Sequence, residues 1–202
     1  AYWLLDKRDV GAGLFAAKKG RSHASKALLS RFGLVWRLNR TATIVWLISL
    51  AAFGAALGGV ANEFADLIAS NEEMQKIISR IGGATEVSDI LFSAMFVIVG
   101  IAVSGYALQI LTRMRSEESS QRLELVLSTK TSRQKWLMTY LIYTLASSLV
   151  ILVATGALAG LVFGIIDGNV LAHIKSLASN ILVYLPALGI MVGAAFVVFG
   201  VL

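Results

Sequence analysis

Glu117, Glu118 and Glu124 are the carboxylates best gathered for acid–base chemistry. With Arg122 they share one polar stretch, RMRSEESSQRLELVLSTKTSRQK, at 113–135. Carboxylates that work as acid and base need a nucleophile or a substrate cleft beside them, and no such motif surrounds these three. A helix surface explains them better. Ser116 is placed to cap a helix whose first turn holds Glu117 and Glu118, where acids suit the dipole. Glu118 and Arg122 then stand at i, i+4 in the favourable order, and Leu123, Val126 and Leu127 form an apolar edge. A solvated connecting loop with ordinary charge pairs fits these residues. So does an amphipathic helix pinned between two rigid elements and offered to a soluble partner. At this point both readings stand.

Other chemistry has less behind it. The chain has no Cys, which excludes disulfides and Cys-based metal or redox sites. His23 and His173 stand alone, without a partner at ligand spacing, so no metal site is expected. Gly11-Ala12-Gly13 is too short for a dinucleotide fingerprint, and no GxxxxGK[ST] occurs, so the chain binds no ATP by a P-loop. We expect no cofactor and no enzymatic step.

The elements that must carry the polar stretch are apolar. Of 202 residues, 57% are hydrophobic, a composition too apolar for a soluble domain. Four runs are long enough to cross a bilayer as helices of about 20 residues: 41–61, 90–112, 136–166 and 181–202. Each lacks Asp, Glu, Lys and Arg. The third is longer than a span needs, and Trp136, Tyr140 and Tyr143 suggest that it starts in the headgroup region, where Trp and Tyr collect. Pro186 is placed to kink or start the fourth. Small residues recur at i, i+4 in Gly54/Gly58, Gly100/Ser104, Gly156/Gly160/Gly164 and Gly189/Gly193, a spacing that lets helices approach closely.

The net charge of +6 comes from segments flanking these runs, so the expected partner is the bilayer and not nucleic acid. Lys and Arg crowd the segments before the first run and between the second and third. Between the first and second there are only Lys76 and Arg80, and after the third only Lys175. The basic segments therefore face the cytoplasm. Outside, Ser70 and Glu73 fit a capping box for a short helix with Met74, Ile77, Ile78 and Ile81 on one stripe. Inside, 24–40 reads as an amphipathic helix in the headgroup plane, anchored by Lys26, Arg37 and Arg40. Its Arg31 falls on the apolar side and must snorkel or find an acidic partner. Thr131 to Gln134 fits a second capping box, opening the third run. The start, AYWLLDKRD, has no initiator Met or signal peptide, and the end stops inside an apolar run. Both suggest a piece of a longer polytopic protein.

Three stretches carry a family resemblance. Arg8-Asp9-Val10-Gly11-Ala12-Gly13-Leu14, Gly33-Leu34-Val35-Trp36-Arg37-Leu38-Asn39-Arg40, and Glu117-Glu118, Arg122, Glu124, Leu127, Ser132-Arg133 and Trp136 occur in order along nearly the whole chain. In combination they resemble the permease subunit of ABC-2-type exporters, specifically the double-length permeases of the polyketide antibiotic or tetronasin exporter family of Gram-positive bacteria. Where that family usually has Gly before the central Arg, this chain has Gln121, which favours a continuous helix.

The resemblance implies a junction with a membrane-surface connecting helix over 1–40, followed by a transmembrane domain over 41–202 that is a fragment of a longer permease. It also implies a cytoplasmic coupling helix, Glu117, Glu118, Arg122, Leu123, Glu124, Val126 and Leu127, seated on a separate ABC ATPase subunit. The expected fold is an all-α polytopic bundle in the plasma membrane. The expected function is export of a hydrophobic small molecule, such as a drug or antibiotic, by alternating access. The alternatives are an ion-coupled secondary transporter and a polytopic membrane scaffold. Ion coupling normally needs an ionisable group within a span, and here Gln109, near a span end, is among the few strongly polar side chains.

Overall fold

The computed structural model describes residues 30–70, 87–119 and 132–201. The described residues are helical throughout apart from short turns and caps. We number the helices α1 (Arg31–Ala69), α2 (Val87–Ser119), α3 (Arg133–Asp167), α4 (Val170–Asn180) and α5 (Leu185–Val201), with a 3-10 turn, Ile181–Tyr184, joining the last two. Four stretches are long and apolar enough to cross a membrane: Arg31–Ala61, Ser88–Glu117, Arg133–Asp167 and Val170–Val198. Large apolar side chains such as Ile48, Ile101, Val183 and Ile190 point outward. Helices that are apolar on their outer faces as well as their inner ones belong in lipid. This is a membrane protein with an all-helical fold.

The helices overrun the apolar runs. The 35 residues of α3 extend about 52 Å at 1.5 Å per residue, against a hydrocarbon core of about 30 Å. A separate surface helix ending at Arg40 is not what the described part shows. Ser30 caps α1 through its Oγ, which accepts from the Gly33 N–H at 3.0 Å, and the helix then runs unbroken past Arg40. The domain boundary expected at residue 40 thus falls inside a helix. Between Leu34 and Phe53 there is no Gly or Pro to break it. Arg37 and Arg40 are exposed on its early turns, while Lys26 lies outside the described residues.

Three further boundaries shift. α2 continues through Ser116 to Ser119, so Ser116 lies inside a helix and not at the start of one. Ser132 rather than Thr131 caps α3, accepting from the Lys135 N–H at 3.4 Å. Ser70 closes α1: its N–H donates to Asp66 O at 3.0 Å and its hydroxyl to Leu67 O at 2.8 Å. The short helix expected after it, with Glu73 and Met74, lies outside the described residues.

The fourth membrane-length stretch begins at Val170, not at 181. The loop expected over 167–180 is a tight turn at Gly168, whose φ of 84° suits a residue without Cβ, followed by α4 laid back on α3. Pro186 explains the 3-10 turn. The Leu182 carbonyl would pair with the N–H of residue 186 in an α-helix, and proline has none. It is met instead by the Leu185 N–H, one residue closer.

Glycine decides which helices touch. In lipid the hydrophobic effect does not drive helix association, so close packing must. A Cβ on Gly54 or Gly58 would collide with the backbone carbonyl of Thr155 or Ala159, so α1 lies directly against α3. On the other face of α3, a Cβ on Gly156 would meet Leu177 O at 2.7 Å, one on Gly164 would meet Val170 Cα at 2.6 Å, and one on Gly160 would strike His173 O. α3 is therefore the central helix, gripped by α1 and α4. A Cβ on Gly100 would meet the Tyr184 ring at 3.2 Å, and one on Gly189 or Gly193 would meet nothing within 4 Å among the described residues.

Candidate functional site

Trp136, Tyr140, Tyr143 and Ser147 share one face of α3, and that face turns toward α1 and α2. The three aromatic residues expected at headgroup depth are packed within protein: Trp136 is 2%, Tyr140 0% and Tyr143 8% exposed. Trp136 and Tyr140 stack edge-on at 5.1 Å, and Tyr143 meets Trp36 of α1 at 6.3 Å. The physical reason is their spacing, which places all of them on the helix stripe that faces protein.

Four hydroxyls meet in this seam. Thr43 Oγ1 lies 2.7 Å from Tyr143 Oη and 2.9 Å from Tyr106 Oη, and Tyr106 Oη donates to Ser147 Oγ at 2.8 Å. Ser147 donates to the Tyr143 carbonyl at 2.7 Å. One proton assignment satisfies the whole chain: Tyr143 to Thr43, Thr43 to Tyr106, Tyr106 to Ser147, Ser147 to backbone. Thr43 has a second acceptor in the Asn39 carbonyl at 3.2 Å, so the chain has two possible directions at that hydroxyl. Three spanning helices are joined by one hub, a single helical turn inside Arg40.

Beside the hub lie buried polar atoms without hydrogen-bond partners among the described residues: Asn39 Oδ1, Trp136 Nε1, Tyr140 Oη and Ser148 Oγ. The Tyr140 hydroxyl lies near Asn39 but outside hydrogen-bonding geometry. Buried polar groups are usually paired, so this seam is under-satisfied where the helices meet. Gln109 is more settled, accepting from Trp46 Nε1 at 2.8 Å. A groove of about 260 Å³ runs along the hub between α1 and α3, lined by Trp36, Thr43, Leu47, Tyr143, Ser147 and Val150 among others. Its accessible wall is apolar, the hub hydroxyls being turned to one another and to backbone, so such a groove can hold an apolar body.

Removing the central hydroxyl tests the hub. Thr43→Val leaves the Tyr143 hydroxyl without its acceptor in a buried seam. We expect a loss of about 1–2 kcal/mol from the folded permease, read as a lowered thermal midpoint in detergent, with Thr43→Ser close to wild type. Equal midpoints for Thr43→Val and wild type would mean that the hub contributes no stability.

The expected coupling residues mostly escape description. Glu117 lies in the last turns of α2, and Glu118 is helical there. Arg122, Leu123, Glu124, Val126 and Leu127 lie outside the described residues. The two ends that flank them, Ser119 of α2 and Arg133 of α3, belong to helices that meet at Tyr106 and Ser147. The hub therefore joins the two helices that carry the polar segment. Sequence reading missed the hub because its partners stand 63 and 100 residues apart. The one available signal was the alignment of Tyr140, Tyr143 and Ser147 on one helix face.

At the opposite end Asp167 and His173 pair across the Gly168 turn at 2.6 Å, and Phe163 contacts the His173 ring edge-on at 4.7 Å. His173 thus has a carboxylate partner that the sequence reading did not assign. Among the described residues no three His, Asp or Glu side chains gather as a metal site would require.

Comparison with known proteins supplies the context. Over 200 residues the chain is 32% identical to the multidrug efflux system permease protein Rv1217c of Mycobacterium tuberculosis. The match takes in 99% of this chain but 36% of that protein, so the chain spans about a third of its relative's length. Residues 28–202 match the family described as the C-terminal domain of the multidrug efflux system permease Rv1217c, covering all of the helices and the hub. The chain belongs to that family.

Proposed function

We propose that this chain is part of the membrane component of an ATP-driven exporter of ABC-2 type, of the tetronasin exporter kind, which moves hydrophobic drugs or antibiotics across the plasma membrane. The observation that carries the reading is the match of 28–202 to a multidrug efflux permease domain. With no P-loop in the sequence, ATP is hydrolysed on a separate subunit seated against 117–127, and this chain performs no covalent chemistry. Its closure pushes α2 and α3 together, and the spans switch access from one side to the other. The hub suits such motion, because the Thr43 hydroxyl has alternative partners and several polar atoms nearby are free to take new ones. Among the described residues, the basic side chains at the start of α1, the end of α2 and the start of α3 mark the cytoplasmic end of a multi-pass chain.

Two experiments test this. Full-length permease reconstituted with its ATPase should export a fluorescent hydrophobic drug with ATP alone, in vesicles made leaky to ions. Transport driven by an ion gradient without ATP would establish the secondary-transporter reading instead. Single Cys probes at Ser70 and Ser119, in this Cys-free segment and with any other cysteines of the full chain removed, should label from opposite sides of intact cells. Labelling from the same side would overturn the topology.

A further inference from the structure

A second pocket, of about 660 Å³, opens at the basic end between the first turns of α1 and α3. Its volume falls within the range of small-molecule sites, roughly 300–1,000 Å³. Its walls are of two kinds. Phe32, Leu137, Met138, Ile142 and Phe196 form an apolar groove, and Arg31, Gln134 and Lys135 stand at its polar rim.

The rim carries positive charge that no carboxylate among the described residues neutralises. Arg31 and Lys135 make no ion pair among the described residues, whereas Arg133 in the same turn is already engaged. Sequence alone required Arg31 to snorkel or to find an acidic partner, and no carboxylate among the described residues pairs with it. The rim also lies at the N-termini of two helices, whose free N–H groups add positive potential. Phe32 is 48%, Met138 54% and Ile142 52% exposed, so the groove is open to the membrane along its length.

We propose that this pocket binds an anionic phospholipid from the leaflet at the basic end. The headgroup phosphate lies between Arg31 and Lys135, with Gln134 donating to it, and one acyl chain follows Phe32, Met138 and Ile142 toward Phe196. The choice of occupant rests on charge complementarity and on geometry. Two cations without an ion-pair partner among the described residues stand at headgroup level over an apolar groove that runs into the hydrocarbon, which is the arrangement of basic lipid sites between spanning helices. A neutral hydrophobic compound would leave both cations unused, and a soluble anion would leave the groove empty.

The test uses the purified full-length permease, titrated in detergent with phosphatidylglycerol or with phosphatidylcholine of the same acyl chains, with bound lipid counted by native mass spectrometry. Phosphatidylglycerol should bind preferentially at one site. Arg31→Gln and Lys135→Gln should each weaken it about fivefold, and the pair about 25-fold, from the surface attraction of one Lys or Arg. Ile142→Trp, which fills the groove without touching the charges, should reduce binding of both lipids. Lys175→Gln, outside this pocket, should change nothing. Equal affinity for the two lipids, or full binding by the double variant, would overturn the proposal. Absence of any phosphatidylglycerol site in a permease that keeps its wild-type thermal midpoint would show that the groove is filled by the protein's own chain.

Discussion

Gly160→Leu is expected to break the pairing of α3 with α4. A Cβ at residue 160 meets the His173 carbonyl oxygen and lies 2.7 Å from Ile174 Cα. Both are backbone atoms, so no side chain can swing aside, and α4 itself must move. Overpacking a tight contact costs about 1–3 kcal/mol where neighbours can adjust, and here the cost lies at or above the upper figure. Gly58→Leu should act similarly on the α1–α3 contact, because its Cβ would strike Ala159 O with Phe163 N at 3.0 Å behind it. Gly189→Leu is the control: nothing lies within 4 Å of its Cβ, and a change within about 0.5 kcal/mol is expected. Thermal unfolding of the three full-length variants in detergent checks this. A Gly160→Leu permease as stable as the Gly189→Leu one would mean that close packing does not hold this bundle together.

That contrast also shows how far the sequence could be read. Gly156/Gly160/Gly164 and Gly189/Gly193 carry the same spacing, yet one stripe is filled by a helix backbone and the other meets open space. Spacing shows that a helix can be approached closely; it does not show that a partner comes. The four membrane-length helices were legible because lipid demands long apolar runs, and their charged flanks because Lys and Arg gather outside those runs. Helix ends were not legible. Residues 112–119 are polar, and a helix that continues there beyond the bilayer has little apolar periodicity to mark it; 31–40 was legible as an amphipathic helix but not as the first turns of α1. In 170–180, Val170, Ile174 and Leu177 do stand at helical spacing, but that spacing does not name the surface they meet, because the glycines that receive this segment lie on α3. The hub was hidden for a related reason. Thr43 and Tyr143 are ordinary side chains until tertiary packing brings them together.

Leu127→Asp is expected to abolish ATP-driven export while leaving the permease in the membrane. The reasoning begins at the two helices flanking 120–131. α2 ends at Ser119 and α3 begins at Arg133, and Tyr106 and Ser147 tie them together further in. A soluble partner pressing on the segment between them would act on both helices at once. On the proposed reading, Leu127 belongs to the apolar edge that seats in the ATPase, and an aspartate there would bury an unpaired charge at the contact, a penalty of several kcal/mol unless the interface opens. Glu118→Lys acts more gently. It sets like charges at i, i+4 with Arg122 and weakens the segment's own helix by about 0.2–0.5 kcal/mol, so it should reduce drug-stimulated ATP hydrolysis by less. Neither substitution lies in an apolar run, so insertion and expression should match wild type. ATPase activity and drug efflux of the full complex, with permease quantified in the same membranes, are the measurements. If Leu127→Asp retained full stimulated hydrolysis and efflux, the segment would be a solvated connection, and the ATPase would have to dock on the basic first turns of α1 or elsewhere on the cytoplasmic face.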